Sequence, residues 1–468
     1  MIHEEIIELC KKNGATMIDL KFVDLPGSWQ HFTVPIDQFN ENIFTEGIGF
    51  DGSSIRGFTA IEASDLVLLP DAKTFHIDAF AQKPVGSLIC DAYEPGLKKR
   101  FPNDPRAIAQ RAEACLKSGN IADTAYFGPE PEFFIFDRVE FGTGQNHSFH
   151  RVESSEANWY ENGDCDGSGY KIRNKEGYLP VAPTDRTLDI RREMVAELKR
   201  LGIEVEKEHH EVATAGQAEI DIKYDTLLSQ ADKLMIFKYT VKNIARRFGK
   251  TATFMPKPLF GDNGSGMHTH ISLWNGATPL FYDPQGYAGL SQTALWFIGG
   301  LLAHGKSLMA LVAPTTNSYK RLVPGFEAPT NLAYSARNRS AAIRIPMYSS
   351  SPASKRIEFR PADASCNPYL AFSAMLLAGL DGIIKKIDPG KPANGNIYKL
   401  GNGNAIPQVP GSLEESLEAL EKDNEYLFAG NVFLKEFIAT WIDYKKTAEY
   451  DAIRKQPTPA EFNLYYDI

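Results

Sequence analysis

The sequence has few cysteines, and their spacing suggests neither a disulfide framework nor a zinc site. Five cysteines occur in 468 residues, an odd number, and no two of them form a CxxC motif: Cys10, Cys90, Cys115, Cys165 and Cys366. Scattered single cysteines are typical of reduced thiols in a cytoplasmic protein. The sequence therefore predicts a cytoplasmic location.

Long apolar runs and an excess of positive charge are also absent. The longest apolar run, 294–303, is about half the length of a membrane span, and residues 1–15 form an acid-bearing amphipathic helix pattern rather than a signal peptide. The formal net charge of -9 argues against nucleic acid or an anionic membrane as the main partner. With 43% apolar and 23% charged residues, the chain has the composition of a globular protein of more than one domain.

Two glycine-rich stretches match phosphate-binding patterns only in letters. Residues 300–307 match GxxxxGK[ST], but they lie inside a predicted apolar helix, whereas a phosphate loop needs a strand, a loop and then a helix. Residues 47–52 match GxGxxG but open no clear helix of a βαβ unit. Neither stretch is interpreted as a nucleotide site.

Apolar periodicity predicts a strand-rich segment followed by a mixed one. The part before residue 100 contains several short strands, and 97–106 is a polar, proline-bearing boundary. Residues 140–175 show no periodicity and are predicted to form a long surface loop. Beyond the boundary, helices are predicted at 106–117, 187–201, 227–248, 292–312 and 367–386, and strands at 125–137, 205–224, 252–255, 266–274 and 355–360.

Several predicted strands carry charged side chains in one phase. His268, His270 and Ser272 are two residues apart, so on a strand they share one face. The same even spacing relates Glu130 to Glu132. It also relates two further sets, Glu211 with Glu219 and Arg356 with Glu358 and Arg360. The prolines at 129 and 131 remove ladder donors, which suits an edge strand or a bulge.

Five carboxylates converging on one cavity cannot all stay ionised without cations, because like charges repel strongly at low dielectric. Mostly oxygen ligands with one imidazole favour two Mg²⁺ or Mn²⁺ ions. Six arginines within forty residues indicate an anionic ligand: Arg321, Arg337, Arg339, Arg344, Arg356 and Arg360. Two metals with several arginines are typical of phosphoryl transfer. Residues 317–329 look like a mobile loop that carries Glu327 as a candidate lid.

The combination of motifs resembles the bacterial type I glutamine synthetase family over essentially the whole chain. The stretches that carry the resemblance, in family order, are FDGSSIRG, GPEPEFFIFD, HHEVATAGQ, NGSGMHTHIS, KRLVPGFEAPTNLAYSARNRSAAIRIP and RIEFRPAD. The resemblance implies an α+β fold. Residues 1–103 would form a β-grasp domain. Residues 104–468 would form a catalytic domain with a curved antiparallel half-barrel sheet, backed by helices, and a C-terminal helical tail.

The resemblance also implies an activity and an assembly. The enzyme would ligate ammonia to the γ-carboxylate of glutamate, with ATP as substrate and γ-glutamyl phosphate as intermediate, in nitrogen assimilation. It would form a dodecamer of two hexameric rings, with active sites between neighbouring subunits. Residues 461–468, an aromatic chain end, would insert into the opposite ring, although packing on their own domain is the simpler alternative.

Residue roles follow from the same resemblance. One metal would be held by Glu132, Glu211 and Glu219, and the other by Glu130, His268 and Glu358. Glutamate would be bound by Asn263, Gly264, Arg321, Glu327, Arg339 and Arg360. ATP would contact Glu206, Tyr224, His270, Ser272, Arg339, Arg344 and Arg356. Ammonium would be bound by Asp51, Ser54, Tyr178 and Glu211, and the catalytic residues would be Asp51, Glu327 and Arg339.

The chain departs from the family at three places. Phe58 replaces a frequent tryptophan and is expected to keep stacking on the nucleotide, whereas Ala353 replaces a frequent lysine and removes an ATP contact. Tyr398 matches a tyrosine that some relatives adenylylate, but its flank lacks the usual acidic and proline residues. Two alternatives to the ammonia ligase remain: a ligase joining glutamate to another amine, and an inactive structural or regulatory homologue.

Overall fold

Two large β-sheets and a separate hairpin organise the chain in a computed structural model, which describes residues 2–96, 99–160, 169–393 and 406–468. The strands are β1 (Met17–Val23), β2 (Trp29–Pro35), β3 (Ile48–Asp51), β4 (Asp65–Pro70), β5 (His76–Asp78), β6 (Val85–Glu94), β7 (Lys99–Arg100), β8 (Thr124–Phe136), β9 (Arg138–Gly144), β10 (His147–Glu153), β11 (Val205–His210), β12 (Gln217–Ile222), β13 (Asp225–Thr226), β14 (Thr251–Thr253), β15 (Met267–Asn275), β16 (Thr278–Pro279), β17 (Asn331–Ala336), β18 (Ala341–Ile345) and β19 (Ile357–Phe359).

The helices are mostly in the second half of the chain. They are α1 (His3–Lys12), α2 (Pro105–Ser118), α3 (Leu188–Arg200), α4 (Leu227–Arg247), α5 (Gln292–Ala303), α6 (Gly305–Val312), α7 (Ser318–Arg321), α8 (Pro368–Lys385), α9 (Leu413–Lys422), α10 (Lys435–Tyr444), α11 (Asp451–Arg454) and α12 (Pro459–Tyr465), with a π-helical turn at Lys445–Tyr450. Short 3-10 turns occur at Glu41–Phe44, Gly52–Ser54, Ile61–Ala63, Ala72–Thr74, Tyr287–Gly289, Pro352–Ser354 and Glu425–Asn431.

The N-terminal sheet has the strand order β2-β1-β6-β4-β3, and β5 and β7 also pair with β6. β1 and β6 are parallel and the other pairs are antiparallel. Its core is separate from that of the rest of the chain and includes Ile6 and Cys10 of α1. Phe58 is buried in this core against Phe22 and Phe101. The expectation that Phe58 stacks on a nucleotide is therefore wrong, because its ring is already enclosed by its own sheet.

The second sheet has ten strands in the order β11-β12-β8-β15-β19-β18-β17, and β13, β14 and β16 extend it. It is antiparallel except for the parallel pair β17 and β18. Strand β8, with 13 residues, lies at its centre and pairs with β15 and β14 on one side and with β13 and β12 on the other. This sheet carries most of the charged residues that the sequence placed in one phase.

A gap in pairing lies along one side of β8. β13 pairs with Tyr126 and Phe127 and β12 begins pairing at Glu132, so among the described pairings residues 128–131 have a partner only on the β15 side. The amide of Glu132 donates to Gly266 on that side, at 3.0 Å. Backbone N–H groups alternate between the two sides of a strand, so residues 129 and 131 would direct theirs into the gap. Both residues are prolines, which have no N–H. The prediction of an edge strand is wrong for β8 as a whole, yet the prolines do sit where its ladder is open.

The helices back the large sheet, with α8 at the centre of the core. Nearly all of α8 is buried, and its closest packing is against α5. A Cβ atom at Gly382 would lie 2.2 Å from the Trp296 carbonyl oxygen and 2.5 Å from the Gly300 nitrogen. Glycine is therefore needed at this helix crossing. Gly300, the first residue of the apparent phosphate loop, serves helix packing.

A buried arginine joins the two sheets. Arg106 at the start of α2 is 2.6 Å from Asp91 and 2.8 Å from Asp71, both in the N-terminal part, and 2.9 Å from Asp232 of α4. Tyr369 of α8 donates to the same Asp232, at 2.6 Å. Removing one partner from such a buried ionic network typically costs about 3–5 kcal/mol. The network therefore fixes the N-terminal sheet against helices α2 and α4, while the boundary between residues 103 and 104 stays a prediction.

Several local expectations differ from the structure. Residues 140–175 were expected to form a loop, but β9 and β10 pair as a hairpin. The single helix expected over 292–312 is two helices, α5 and α6, bent by 77° at His304. Helix α8 is long and apolar enough to cross a membrane by composition, but 78% of it is buried inside the protein, as in a core helix.

Candidate active site

A funnel-shaped cavity of about 610 Å³ opens on the face of the large sheet around β8 and β15. Sequence-predicted residues on its wall are Glu130, Glu132, Tyr178, Glu206, Glu211, Glu219, Asn263, Gly264, His268, His270, Arg321, Glu327, Arg339, Arg344, Arg356 and Arg360. These side chains come from seven separate stretches of the chain. The even spacing of the sequence thus corresponds to one shared face of the sheet.

Strand register places the charged residues opposite one another. Glu219 is opposite Glu132 across β12 and β8, and Glu130 is opposite His268 across β8 and β15. Across the next pairs, His270 is opposite Glu358, which in turn is opposite Arg344. Side chains directly opposite on one face have Cβ atoms about 5 Å apart. Pairing of the strands alone therefore builds a continuous polar surface.

A first group of three possible metal ligands consists of Glu130, His268 and Glu358, whose ligand atoms lie within 4.8 Å of one another. His268 Nδ1 is 3.6 Å from Glu130 Oε2 and 3.9 Å from Glu358 Oε1. Burial, followed by the Arg360 guanidinium, lowers the pKa of His268 to about 4. The imidazole is therefore neutral at pH 7, which is the form that ligates a metal.

A second group consists of His209, Glu211 and Glu219, again within 4.8 Å. His209 Nε2 is 3.3 Å from Glu219 Oε1, and His209 Nδ1 is 3.9 Å from Glu211 Oε1. His209 was not among the predicted ligands, although it stands two residues before Glu211 and so shares its phase. Glu132 was expected in this group; its carboxylate accepts hydrogen bonds from the Gly266 amide at 3.0 Å and the Gln217 amide at 3.1 Å.

The carboxylates of the second group are poorly compensated. Burial, followed by Glu132, raises the pKa of Glu211 to about 8. Burial, followed by Asp221, Glu130 and the other nearby carboxylates, raises the pKa of Glu219 well above its usual range. Excess negative charge in an enclosed site is what a divalent cation relieves. The donor set of carboxylates and neutral imidazole therefore fits hard cations.

Lys207 stands beside this group. Its ammonium is 2.8 Å from Asp221 and 3.7 Å from Glu219. The position of this lysine was not singled out in the sequence, because a single exposed lysine on a strand gives no pattern.

Arginines line the funnel next to the first group of possible metal ligands. Glu358 is fully buried between Arg344, whose Nε is 2.5 Å from Glu358 Oε2, and Arg360, which also binds it. The guanidinium of Arg321 donates to the carbonyls of Pro361, Ala362 and Arg360, at 3.0–3.2 Å. Within the described chain, the buried Nε of Arg360 has no hydrogen-bond partner. Cationic donors are thus fixed in place before any ligand binds.

A second pocket of about 330 Å³ adjoins the funnel at the pairing gap of β8. It is lined by Tyr224 and Ser272, as predicted, and shares Glu130, Glu206, His270 and Arg356 with the funnel. Tyr126, Tyr224 and Trp274 make edge-to-face contacts there, with ring centroids 5.2 and 5.8 Å apart. The pocket therefore offers aromatic surface at one end and charge at the other. Ala353 also lines it, where the family often has lysine.

A loop that carries Glu327 covers one side of the funnel. The ring of Phe326 lies between two lysines, with the ammonium groups of Lys175 and Lys257 each 4.0 Å from its centroid. Glu327 has a φ of 57°, in the left-handed region that costs a non-glycine residue about 1 kcal/mol. The loop is therefore held in a specific conformation by contacts on both sides.

Two predicted site residues, Asp51 and Ser54, line neither the funnel nor the second pocket of their own chain. Asp51, at the end of β3, is exposed, and its carboxylate accepts hydrogen bonds from Ser53 and Ser54. Neither Asp51 nor Ser54 is among the described residues lining the funnel. Tyr398 lies outside the described residues. The four residues predicted to bind ammonium therefore do not come together within one chain.

Comparisons with known proteins agree with one another over the full length. A family model described as "Glutamine synthetase, beta-Grasp domain" matches residues 14–95, and "Glutamine synthetase, catalytic domain" matches residues 102–465. Among curated relatives, proteins named glutamine synthetase from Frankia alni and Aquifex aeolicus are each 55% identical, and each alignment covers 99% of both chains. The cryo-EM structure of Plasmodium falciparum glutamine synthetase superposes with a TM-score of 0.91 at 31% identity, covering 100% of this chain and 99% of that one.

Proposed function

The chain belongs to the glutamine synthetase family and is an enzyme of ATP-dependent glutamine synthesis, and we propose that the funnel is its active site. The family matches also confirm the expected α+β fold, with its N-terminal β-grasp domain and curved half-barrel sheet. The assignment of the site rests on two groups of possible metal ligands that share one cavity with several arginines. Residue roles below are proposals supported by that geometry.

Members of the family use ATP and divalent cations. One cation would be held by Glu130, His268 and Glu358, and the other by Glu211 and Glu219 with Glu132. His209 lies close enough to join or orient this second set. When bound, the two cations would offset the carboxylate charge and polarise phosphoryl oxygens.

Glutamate would be gripped between the arginines and the loop before β15. Arg321 and Arg360 supply guanidinium groups suited to carboxylates, and Arg321 is fixed by three carbonyls. Asn263 and Gly264 stand beside them, and a Cβ at Gly264 would lie 3.1 Å from the Cβ of Arg321. This packing would orient the γ-carboxylate toward the metal-ligand groups.

ATP would enter through the pairing gap of β8. Its base would contact the aromatic pocket near Tyr224 and Ser272, and its phosphates would extend past Glu206, His270 and Arg356 into the funnel. Arg339 and Arg344 would then stabilise charge on the phosphoryl group as the γ-carboxylate of glutamate attacks it. The product, γ-glutamyl phosphate, has a leaving group that ammonia can displace.

Ammonium would bind near Tyr178 and Glu211, and Glu327 would close over the acyl phosphate to exclude water. Asp51, the proposed proton acceptor, and Ser54 would come from a neighbouring subunit, since each lies away from its own funnel. This arrangement supports a ring-shaped homo-oligomer, which we propose is the dodecamer of two hexameric rings. We propose a cytoplasmic location.

The test measures ADP and glutamine formed from ATP, glutamate and ammonium. Asp51→Ala is expected to keep its fold and metal binding but to lose most ammonia-dependent glutamine formation, because the ammonium proton has no acceptor. Asp65→Ala, which changes the exposed partner of Asp51 across β3 and β4, is the matched control. Unchanged glutamine turnover in Asp51→Ala would remove Asp51 from this role.

A further inference from the structure

A cavity of about 520 Å³, separate from the funnel, lies where the N-terminal sheet, α4 and the C-terminal segment meet. Within the described ranges, none of its lining residues also lines the funnel or the nucleotide pocket. Its walls come from 26–28, 252–256, 315–317, 364–365 and 448–453, together with Lys238 and Lys242 of α4. We call it the lysine cavity.

Lys238 brings a buried charge to this cavity. The residue is only 8% exposed, and its ammonium donates a hydrogen bond to the Cys366 carbonyl at 3.1 Å. A carbonyl is neutral, so it satisfies a donor without cancelling the charge. Burial lowers the pKa of Lys238 to about 8, so most of the ammonium is still protonated at pH 7. Lys242, one helical turn later, adds a second ammonium at the exposed rim.

Two carboxylates lie nearby. Glu449 is the acidic residue among the described lining residues, and it is bound by Lys445 at 2.6 Å. Asp363 accepts hydrogen bonds at Oδ1 from the Ser365 amide and hydroxyl, and among the described residues its buried Oδ2 has no hydrogen-bond partner. The lining also includes groups that can donate to an oxyanion: the hydroxyls of Ser28, Thr253, Thr315 and Thr316 and the amide of Asn317.

We propose that the lysine cavity is a binding site for a small oxyanion, a phosphate or a carboxylate, which Lys238 and Lys242 contact as cations. A buried ammonium whose hydrogen-bond acceptor is a neutral carbonyl is costly, and an anion of this size would supply a direct counter-charge. The local excess of positive charge stands out in a chain of net charge -9. The proposal is independent of the proposed function, because it uses no residue of the funnel.

The site would adjoin the loop that grips glutamate. The Pro256 carbonyl in the cavity wall accepts a hydrogen bond from the Ser265 amide at 2.8 Å. Asn317, in the same wall, accepts from the Lys257 amide at 2.6 Å and donates to its carbonyl at 3.0 Å. A ligand in the lysine cavity therefore contacts the segments that hold the 263–266 loop.

The first test locates the anion directly. Crystals of the full chain are soaked in sodium selenate, and anomalous scattering at the selenium edge is used to find the ion. The expected result is a peak within hydrogen-bond distance of Lys238 Nζ, absent from crystals of Lys238→Met. Selenium confined to the funnel would overturn the proposal.

The second test is made in solution and distinguishes the two sources of oxyanion. The shift of the thermal midpoint caused by inorganic phosphate, and separately by succinate, is compared among wild type, Lys238→Met and Lys242→Met. Lys435→Met, in a groove on the C-terminal helices, is the matched control. Phosphate can also bind to the arginines of the funnel in every variant. The effect of the lysine cavity is therefore taken as the difference between variants measured in the same buffer.

The shift is expected to fall to roughly half or less in both cavity variants and to stay unchanged in the control. A decrease with phosphate alone identifies a phosphate site, and one with succinate alone identifies a carboxylate site. Equal shifts in wild type and both cavity variants, with either anion, would overturn the proposal. Lys242→Met keeps the test decisive if Lys238→Met fails to fold, because Lys242 is exposed.

Discussion

Glu219 is a crowded carboxylate of the funnel, 5% exposed and near Asp221, Glu130, Glu132 and Glu211. In the metal-free protein this crowding opposes ionisation, so Glu219→Gln is expected to raise the metal-free thermal midpoint at pH 8. The same change removes a ligand and is expected to weaken Mg²⁺ or Mn²⁺ binding at least about tenfold. Thermal denaturation measures the midpoint, which should rise, and calorimetric titration measures the metal affinity, which should fall.

Glu204→Gln provides the control for this prediction, since Glu204 is an exposed carboxylate paired with Lys223 outside the cluster. It should alter neither the metal-free midpoint nor metal affinity. If Glu219→Gln also changed neither, Glu219 would have no part in holding a cation.

His304 gives a pH-dependent prediction away from the site. Burial alone would lower its pKa, but hydrogen bonds to Asp423 and Asp381, each at 2.9 Å, raise it. A raised pKa in the folded state means that the stabilisation is complete below the ordinary histidine value of about 6.5 and is lost as pH rises through the folded value. The thermal midpoint of wild type should therefore fall more steeply above pH 6.5 than that of His304→Gln. Parallel profiles would contradict this.

At the scale of single residues, alternation along strands predicted most residues of the funnel wall. Glu130, His268 and Glu358 were predicted from phase because strand periodicity is a local property. His209 carried the same signal and was overlooked. Lys207 and Phe326 could not be predicted, because their contacts depend on which distant segments fold beside them.

The Glu327 loop is the element whose behaviour depends most on a single side chain. A cation–π contact contributes about 0.5–2 kcal/mol, and Phe326 makes one with each of two lysines. Phe326→Leu should loosen the loop, so that water reaches the acyl phosphate and more ADP forms per glutamine. Phe326→Tyr should keep the coupling ratio near that of wild type, because it keeps the aromatic face.

Phe260→Leu is the control for the loop, because Phe260 is a fully exposed phenylalanine outside this loop. The measurement is the ratio of ADP to glutamine at saturating ammonium. A ratio unchanged in Phe326→Leu, with glutamine turnover also unchanged, would show that the lysine contacts do not control the loop.

Two element-level expectations failed for physical reasons. The β9 and β10 strands are mostly exposed, with Phe141 and Phe149 facing solvent, so no apolar alternation marked them. The apolar pattern runs unbroken through α5 and α6, and the bend falls at His304, whose partners Asp381 and Asp423 lie far along the chain. Periodicity reports burial, whereas a bend of this kind depends on tertiary contacts.

At the scale of the whole molecule, the separation of Asp51 from its own funnel leads to a mixing prediction. Asp51→Ala keeps an intact funnel, and Glu130→Gln keeps an intact Asp51, so each variant alone should be nearly inactive. If sites are shared between subunits, co-assembly at equal amounts should restore about a quarter of the sites, by random pairing. Glutamine formation after co-expression and after separate purification with mixing provides the comparison.

The control for mixing is a pair in which both changes affect the same part, Glu130→Gln with Glu358→Gln. That pair cannot complement, because every funnel is defective. Recovery in neither pair would show that Asp51 does not complete the funnel of another subunit. Strand periodicity in a single sequence cannot predict such sharing, because it would depend on contacts with a second copy of the chain.

Burial of the apolar side chains at the chain end, residues 462–468, would also depend on assembly with other subunits. Phe462, Leu464, Tyr465, Tyr466 and Ile468 are all more than half exposed, which disfavours packing on their own domain. Their burial in another subunit stays a prediction that follows from the family resemblance.

The pairing gap of β8 at 128–131 also affects how readily the chain can aggregate. Pro129 and Pro131 offer no amide hydrogen on this open side, so a foreign strand can find only carbonyl acceptors on them and pairs there less readily. A ligand can therefore enter the pocket beside the pairing gap without breaking backbone hydrogen bonds between β8 and a neighbouring strand. Pro129 and Pro131 thus leave the pairing gap of β8 open and also disfavour aggregation through its unpaired backbone.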